Sequence, residues 1–306
     1  MPASLPIRML LSIAILFLVC VVLPLAQAWR LLRLREPTRL AWLLVAADAT
    51  VVVIVLFLVG RWDIAGYWLR PVLATLFASA LLRSWWNQRG RPWRSGAGRP
   101  LCRGHKGTIA SLAIFGAILL HALSGLSPSA PARDLVFPLA GGRFVVGQGG
   151  DAWLLNHHAR NVEQRHAADI VALNRFGFRA SGLLPQGLDA FAIHGATVRS
   201  PCEGKVVSAR DDLPDLAPGE MDPANPAGNH VLLECDGLRV MLAHLQRASL
   251  LVERGDSLAA GNPVGRVGNS GNTTEPHLHV HAFDPRTGDV SRSVSTGECP
   301  CATGCS

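Results

Sequence analysis

The apolar residues of this chain crowd into its first 128 positions. Four stretches there, about Leu5–Ala28, Leu40–Gly60, Ile64–Leu82 and Ile109–Leu126, each approach the ~20 residues that carry a helix across a bilayer. Backbone in a lipid interior must satisfy its own polar groups, so residues 1–128 read as an α-helical membrane region of about four helices (5–28, 40–60, 64–82 and 109–126). The third stretch carries Arg70 and Pro71 near its start and the fourth carries His121, which blurs their ends. Asp48 lies inside the second, where an ionisable group is expensive unless it faces protein or water. Two readings stand for it: a pairing with Arg70, or a place on the polar side of a tilted helix with no mechanistic role.

Trp29, Trp42, Trp62, Trp68, Trp85, Trp86 and Trp93 fall near the ends of these stretches, as interfacial belts require. Arg30, Arg33, Arg35 and Arg39 follow the first stretch, and Arg83, Arg89, Arg91, Arg94, Arg99, Arg103 and Lys106 follow the third. Between the second and third there is little beyond Arg61 and Asp63. The positive-inside rule then puts the two basic loops in the cytoplasm and both termini outside. A rival reading makes residues 1–28 a signal peptide cut at Ala26-Gln27-Ala28. With Arg8 as the only n-region charge and a long apolar run, an uncleaved helix is the expectation. The net charge of +7 sits beside the spans, where topology and anionic lipid account for it, so nucleic acid is not an expected partner.

Ser and Pro mark a linker near residues 129–133, after which the chain changes character. Short segments at Thr197–Arg199, Gly204–Ala209, His230–Glu234, Arg239–His244 and Pro263–Val267 alternate or run apolar at strand length between turn residues. No convincing amphipathic helix interrupts them, so residues 134–290 read as an all-β sandwich or barrel. Asp211–Gly228 is then a long Pro- and Asp-rich insertion over one edge.

Nine of the eleven histidines lie in this half. The densest cluster is Glu275-Pro276-His277-Leu278-His279-Val280-His281, reached through the turn-rich Gly268-Asn269-Ser270-Gly271-Asn272-Thr273-Thr274. On a strand, residues i and i+2 share a face about 7 Å apart, so His-x-His directs two imidazoles at one ion or its water. Histidine is a poor core residue, because each ring brings two nitrogens that need partners.

The stretch from about His157 to Asp284 resembles the lysostaphin-type or LytM-like zinc metallopeptidases, which cut peptides of bacterial cell-wall peptidoglycan. The pieces that carry the likeness are Val198 to Val207, Gly228-Asn229-His230-Val231, Leu242-Ala243-His244-Leu245, Gly255-Asp256, and Gly265 to Gly271 leading into Pro276-His277-Leu278-His279. The resemblance implies a compact β fold (LytM-like, duplicated hybrid motif type) with a groove across one sheet. It implies a zinc ion held by a first His, Asp169 and His279, in a three-ligand site with a position open for water. His244 and His277 match the remaining two family histidines, with acid–base and oxyanion roles.

The first His departs from the family pattern, since the position four residues before Asp169 is Arg165. By likeness to a branch with an expanded loop, His158 leads, and His157 and His166 are the alternatives. An odd spacing from Asp169 disfavours His166 on a regular strand. Together with the apolar spans and the basic loops, the resemblance implies a membrane-embedded zinc metalloendopeptidase in the bacterial cytoplasmic membrane, multi-pass, with its catalytic domain on the extracytoplasmic side. The alternative is a catalytically inactive LytM-like domain that binds wall peptides or activates another hydrolase. A sensor that binds a ligand through the β domain is a further alternative. His194 and His230 read as surface or packing residues, and His281 as a partner of a ligand or a groove wall. The likeness places the strands beside Cys202 and Cys235 in one sheet, so these two are expected to pair. Cys299, Cys301 and Cys305 mark a C-terminal tail, residues 291–306, with too few thiols for a structural zinc knot.

Overall fold

The computed structural model describes residues 7–94, 104–126, 132–162, 164–286 and 290–295. The expected linker is described only in part, and Cys102 and the cysteine tail at Cys299, Cys301 and Cys305 lie outside the described residues. The chain forms two units, Met1–Ser124 and Gly125–Ser306.

The first unit is helical. Helices α1 (Ile7–Phe17) and α2 (Leu23–Arg33) are joined by a π-helical turn at Leu18–Val22. Then come α3 (Arg39–Val59), the short α4 (Trp62–Ala65), α5 (Leu69–Gln88) and α6 (Lys106–Ser124). Thr38 caps α3 by accepting a hydrogen bond from the Ala41 amide at 3.2 Å. Three of these segments, Leu11–Arg33, Arg39–Val59 and Lys106–Ser124, are long and apolar enough to cross a membrane. The third expected stretch, Ile64–Leu82, is not continuous: Gly66, at φ 109°, ends α4, and helix resumes only at Leu69. α5 also carries Arg70, Arg83, Asn87 and Gln88, which lower its hydropathy.

The Asp48 pairing expected with Arg70 is corrected. Buried Asp48 instead receives Arg30 Nη1 at 2.7 Å, and Arg30 also reaches Gln27 Oε1 and Thr108 Oγ1 at 3.3 Å each. Arg30 stands in the last turn of α2, where a long guanidinium arm extends to the middle of α3. α2 packs on α5 and α3 on α6, with Trp42 Nε1 donating to Ser84 Oγ at 2.9 Å in the buried interior.

The second unit is built on strands. Eleven are described: β1 (Ala132–Leu135), β2 (Arg143–Gln148), β3 (Ala168–Leu173), β4 (Thr197–Arg199), β5 (Gly204–Arg210), β6 (Asn229–Cys235), β7 (Leu238–Leu245), β8 (Ser257–Leu258), β9 (Pro263–Arg266), β10 (Leu278–Phe283) and β11 (Val290–Ser295). Nine join one sheet and β4 pairs β9 in a second. All pairings are antiparallel except β1 with β11. The only helices among the described residues of this unit are 3-10 turns at His157–Arg160 and Leu188–Ala190. An antiparallel sheet domain is therefore what the alternating segments build.

β10 is the hub, with β7 along one side and β3 followed by β11 along the other. Its alternation sends Leu278, Val280 and Ala282 into a core with Val206, Val231, Leu233, Val240, Leu242 and Val264. His279, His281 and Phe283 take the opposite face. Asp211–Gly228 connects β5 to β6 and runs beside the turn before β10, through Leu216 N–H to Asn269 O (3.0 Å), Gly219 N–H to Thr274 O (2.8 Å) and Asp222 N–H to Gly271 O (2.9 Å).

Cys202 and Cys235 are joined by a disulfide with a Cα–Cα distance of 6.0 Å across a sequence separation of 33. On the chain-entropy account, closing a loop of that length contributes about 3–4 kcal/mol. Reduction is therefore expected to lower the melting temperature of this domain by roughly 6–16 °C, at ~2–4 °C per kcal/mol. Differential scanning with and without reductant reads the shift, and non-reducing peptide mapping reads the bond. Recovery of both residues as free thiols would end this account.

Candidate metal centre

The cross-strand register places His279 of β10 directly opposite Asp169 of β3 and Ala243 of β7. Asp169 Oδ1 lies 2.9 Å from His279 Nδ1 and 3.5 Å from His277 Nε2. From the loop between β2 and β3, His158 brings Nε2 to 3.1 and 3.0 Å from the two Asp169 oxygens. His244, near the end of β7, has its ring 4.8 Å from that of His277 and 5.7 Å from that of His279. Five of the residues singled out by sequence thus share one cluster.

Of the alternatives for the first histidine, His157 stays exposed, its Nε2 4.0 Å from Asp169 Oδ2 and its Nδ1 3.2 Å from Gln148 Oε1. His166 is buried away from the cluster, with Nδ1 2.7 Å from Asp151 Oδ1. The loop presents His158 because buried Asn156 pins it. Asn156 Oδ1 accepts from the His158 amide at 3.0 Å, and its Nδ2 reaches the carbonyls of Gly150, Arg165 and Ala167 at 2.9–3.1 Å.

His244 has a positive φ of 62°, a conformation that costs a non-glycine residue about 1–3 kcal/mol. Its backbone is held there by His244 N–H to Ala227 O and Gly268 N–H to His244 O, both 3.0 Å. The Ser270 carbonyl accepts from His244 Nδ1 at 2.9 Å, and the Glu275 carbonyl lies 2.9 Å from His277 Nδ1. A carbonyl can only accept, so both rings carry a hydrogen on Nδ1 and turn Nε2 toward the cluster. Ser270 is fixed in turn by its Oγ, which donates to Leu245 O (2.7 Å) and accepts from Asn229 N–H (2.9 Å). Gly228, at φ 60°, lies against the Ser270 backbone so closely that a Cβ there would overlap its carbonyl. Arg179 grips Glu275 through Nη2–Oε2 at 2.6 Å and Nε–Oε1 at 3.1 Å, steadying the segment that delivers His277.

Burial alone would raise Asp169. The hydrogen bond from His158 and the charges and hydrogen bond offered by His277 and His279 outweigh it, holding the carboxyl well below its usual range. Burial, with His277 and His279 nearby, pushes His244 well down. Burial likewise lowers His279 against the pull of Asp169. His281 falls to about 3, through burial and then the neighbouring His279 and His158. The site is an ionised carboxylate ringed by imidazole nitrogens, with His158 and His279 in hydrogen-bond contact with it and His277 close by. One carboxylate with several imidazole nitrogens gathered within reach of each other is a ligand set that fits a divalent cation. Distances within 4.8 Å link His244, His277 and His279, and again His157, His158 and Asp169.

The cluster opens into a cleft of about 690 Å³ lined by His157, His158, His244 and His279 and continuing past His281 to Phe283. His230 turns away, its Nδ1 2.8 Å from Gly228 O. Among the residues that matter here, sequence reasoning passed over Asn156, Ser270 and Arg179. Asn156 directly precedes His157 and Ser270 lies within the quoted turn before β10, whereas Arg179 is separated from Glu275 by 96 residues and leaves no local signal.

A search of curated proteins finds no match. Among solved structures, similar chains include a zinc-containing peptidase from Vibrio cholerae (20% identity, 52% of this chain and 35% of that one, TM-score 0.27). Another is a peptidase M23 protein from Pseudomonas aeruginosa (18%, 55% and 51%, TM-score 0.30). The antimicrobial peptidase lysostaphin from Staphylococcus simulans is a third (23%, 34% and 41%, TM-score 0.21). The aligned part spans about a third of the length of the first of these chains. Residues 184–289, the stretch that carries His244, His277, His279 and His281 but not His158 or Asp169, match the model of Peptidase family M23.

Proposed function

We propose that this chain is a membrane-anchored, zinc-dependent endopeptidase acting on peptides of cell-wall peptidoglycan, with His158, Asp169 and His279 as metal ligands. The observation that carries the reading is the meeting of these three side chains with two further histidines, His244 and His277, whose Nε2 atoms are left free by backbone carbonyls. Two imidazoles and one carboxylate with room for a water suit catalytic rather than structural zinc. When bound, zinc polarises the scissile carbonyl and brings the pKa of water toward ~7.

The remaining chemistry belongs to the two free histidines. Hydrolysis adds water across an amide, so one proton must leave the water and reach the departing amine while negative charge grows on the carbonyl oxygen. A neutral Nε2 on His244 or His277 can take that proton, and the resulting imidazolium can return it to the amine. The other ring can donate to the oxyanion from Nε2 after taking a proton from solvent, a role that suits His277 better than His244, whose burial disfavours its charged form. A cleft of about 690 Å³ is of the size that takes a few residues of extended peptide. Asn161, Gln164 and Asn272 along its walls offer amide groups to a peptide backbone.

The proposal places the domain, residues 134–290, outside the cytoplasmic membrane, with α5 (Leu69–Gln88) as a fourth, less apolar span beside the three longer apolar segments. A reporter active only outside the cytoplasm is expected to work when fused after Leu126 and to fail when fused near Arg94. The opposite pattern would remove the wall as a substrate. The function itself is tested by metal analysis of the purified full chain beside digestion of isolated peptidoglycan. Stoichiometric zinc with release of peptide fragments is expected. Zinc without digestion selects a binding domain, and absence of both overturns the reading.

A further inference from the structure

β10 carries a third histidine on the face of the metal cluster. His279 Nε2 and His281 Nδ1 are 2.9 Å apart, and both rings are buried. A single hydrogen can occupy that contact, and which ring owns it decides what the other edge of His279 can do. If His279 donates, its Nδ1 holds a lone pair toward Asp169 Oδ1, 2.9 Å away. If His281 donates, His279 carries its hydrogen on Nδ1 and that edge is closed to a metal.

We infer that His281 is a positioning residue. When the metal is bound and displaces the hydrogen that His279 Nδ1 otherwise shares with Asp169, His281 Nδ1 accepts the hydrogen of His279 Nε2 and so fixes His279 in the tautomer and ring orientation that turn Nδ1 toward the ion. The inference rests on the proposed ligand set and extends it by one residue. The ring of His281 is itself held. Phe283 stacks on it at 5.9 Å between centroids and 27° between planes, and Met241 is its cross-strand neighbour on β7. The arrangement is one in which metal ligands commonly pass their second ring hydrogen to a fixed acceptor.

The test uses the full chain in detergent with zinc as the probe. His281→Leu is expected to weaken zinc binding by about 10–100-fold, measured by competition with a chelator. His281→Asn, whose Oδ1 can stand where Nδ1 stood, is expected to recover most of it. Cobalt-substituted protein should show an altered visible spectrum for His281→Leu and a near-native one for His281→Asn. Equal losses in both variants would mean that the residue only packs, and no loss in either would mean that it does nothing for the metal. Either outcome overturns the inference while leaving the zinc reading standing. Should His281→Leu fail to fold, histidine-labelled wild type decides the matter through long-range proton–nitrogen spectra of the zinc-loaded form. Hydrogen on Nε2 of His279 supports the inference, and hydrogen on Nδ1 overturns it. Wild type that binds no zinc overturns the underlying reading as well.

Discussion

His158→Ala is expected to strip zinc from the protein, whereas His166→Ala leaves it bound. His158 brings Nε2 to both oxygens of Asp169, at 3.0 and 3.1 Å. His166, by contrast, is committed to Asp151 at 2.7 Å and buried. Losing a partner that touches a ligand lowers metal affinity by about 10–100-fold, so losing a ligand itself should exceed ~100-fold. Zinc content after dialysis against a chelator separates the variants. His157→Ala belongs in the same series. Its exposed ring lies against that of His158, tilted by 39° with 3.8 Å between centroids, so its removal should loosen the loop without emptying the site. An empty site in His166→Ala and a full one in His158→Ala would reverse the assignment.

The cluster was legible in sequence wherever local periodicity carried it. His277 and His279 announce themselves through strand alternation, and β4 to β7 and β9 follow the apolar segments closely. β3 and β10 meet through a register that no local pattern encodes, and that register sets His279 opposite Asp169. Which of the three histidines comes closest to Asp169 depends on Asn156, whose side chain closes the loop onto carbonyls up to eleven residues away. Asp48 illustrates the same limit in the helical unit. Its mid-helix place says that it needs a partner, but helix packing rather than spacing selects Arg30 over Arg70. Gly66 likewise ends α4 inside a stretch whose hydropathy alone suggested continuity, because its φ of 109° cannot be read from apolar content.

His244→Ala is expected to slow peptide hydrolysis by ~100-fold or more while zinc stays bound, since its contribution is a positioned Nε2 rather than a ligand atom. A 100-fold loss corresponds to about 2.7 kcal/mol in the barrier. The Ser270 carbonyl that orients the ring would then lose its donor at 2.9 Å, a local change that leaves Asp169 and His279 in register. A glycine variant separates the ring from the backbone. Alanine keeps a Cβ at a positive φ of 62°, a conformation that costs an L-residue roughly 1–2 kcal/mol, whereas glycine adopts it freely. His244→Gly should therefore be as slow as His244→Ala but up to ~1 kcal/mol more stable, offset in part by the greater chain entropy that glycine loses on folding. Steady-state rates, zinc content and denaturant midpoints of the pair read the two effects independently. If His244→Ala instead loses zinc along with activity, His244 is a ligand and the division of labour between His244 and His279 must be redrawn.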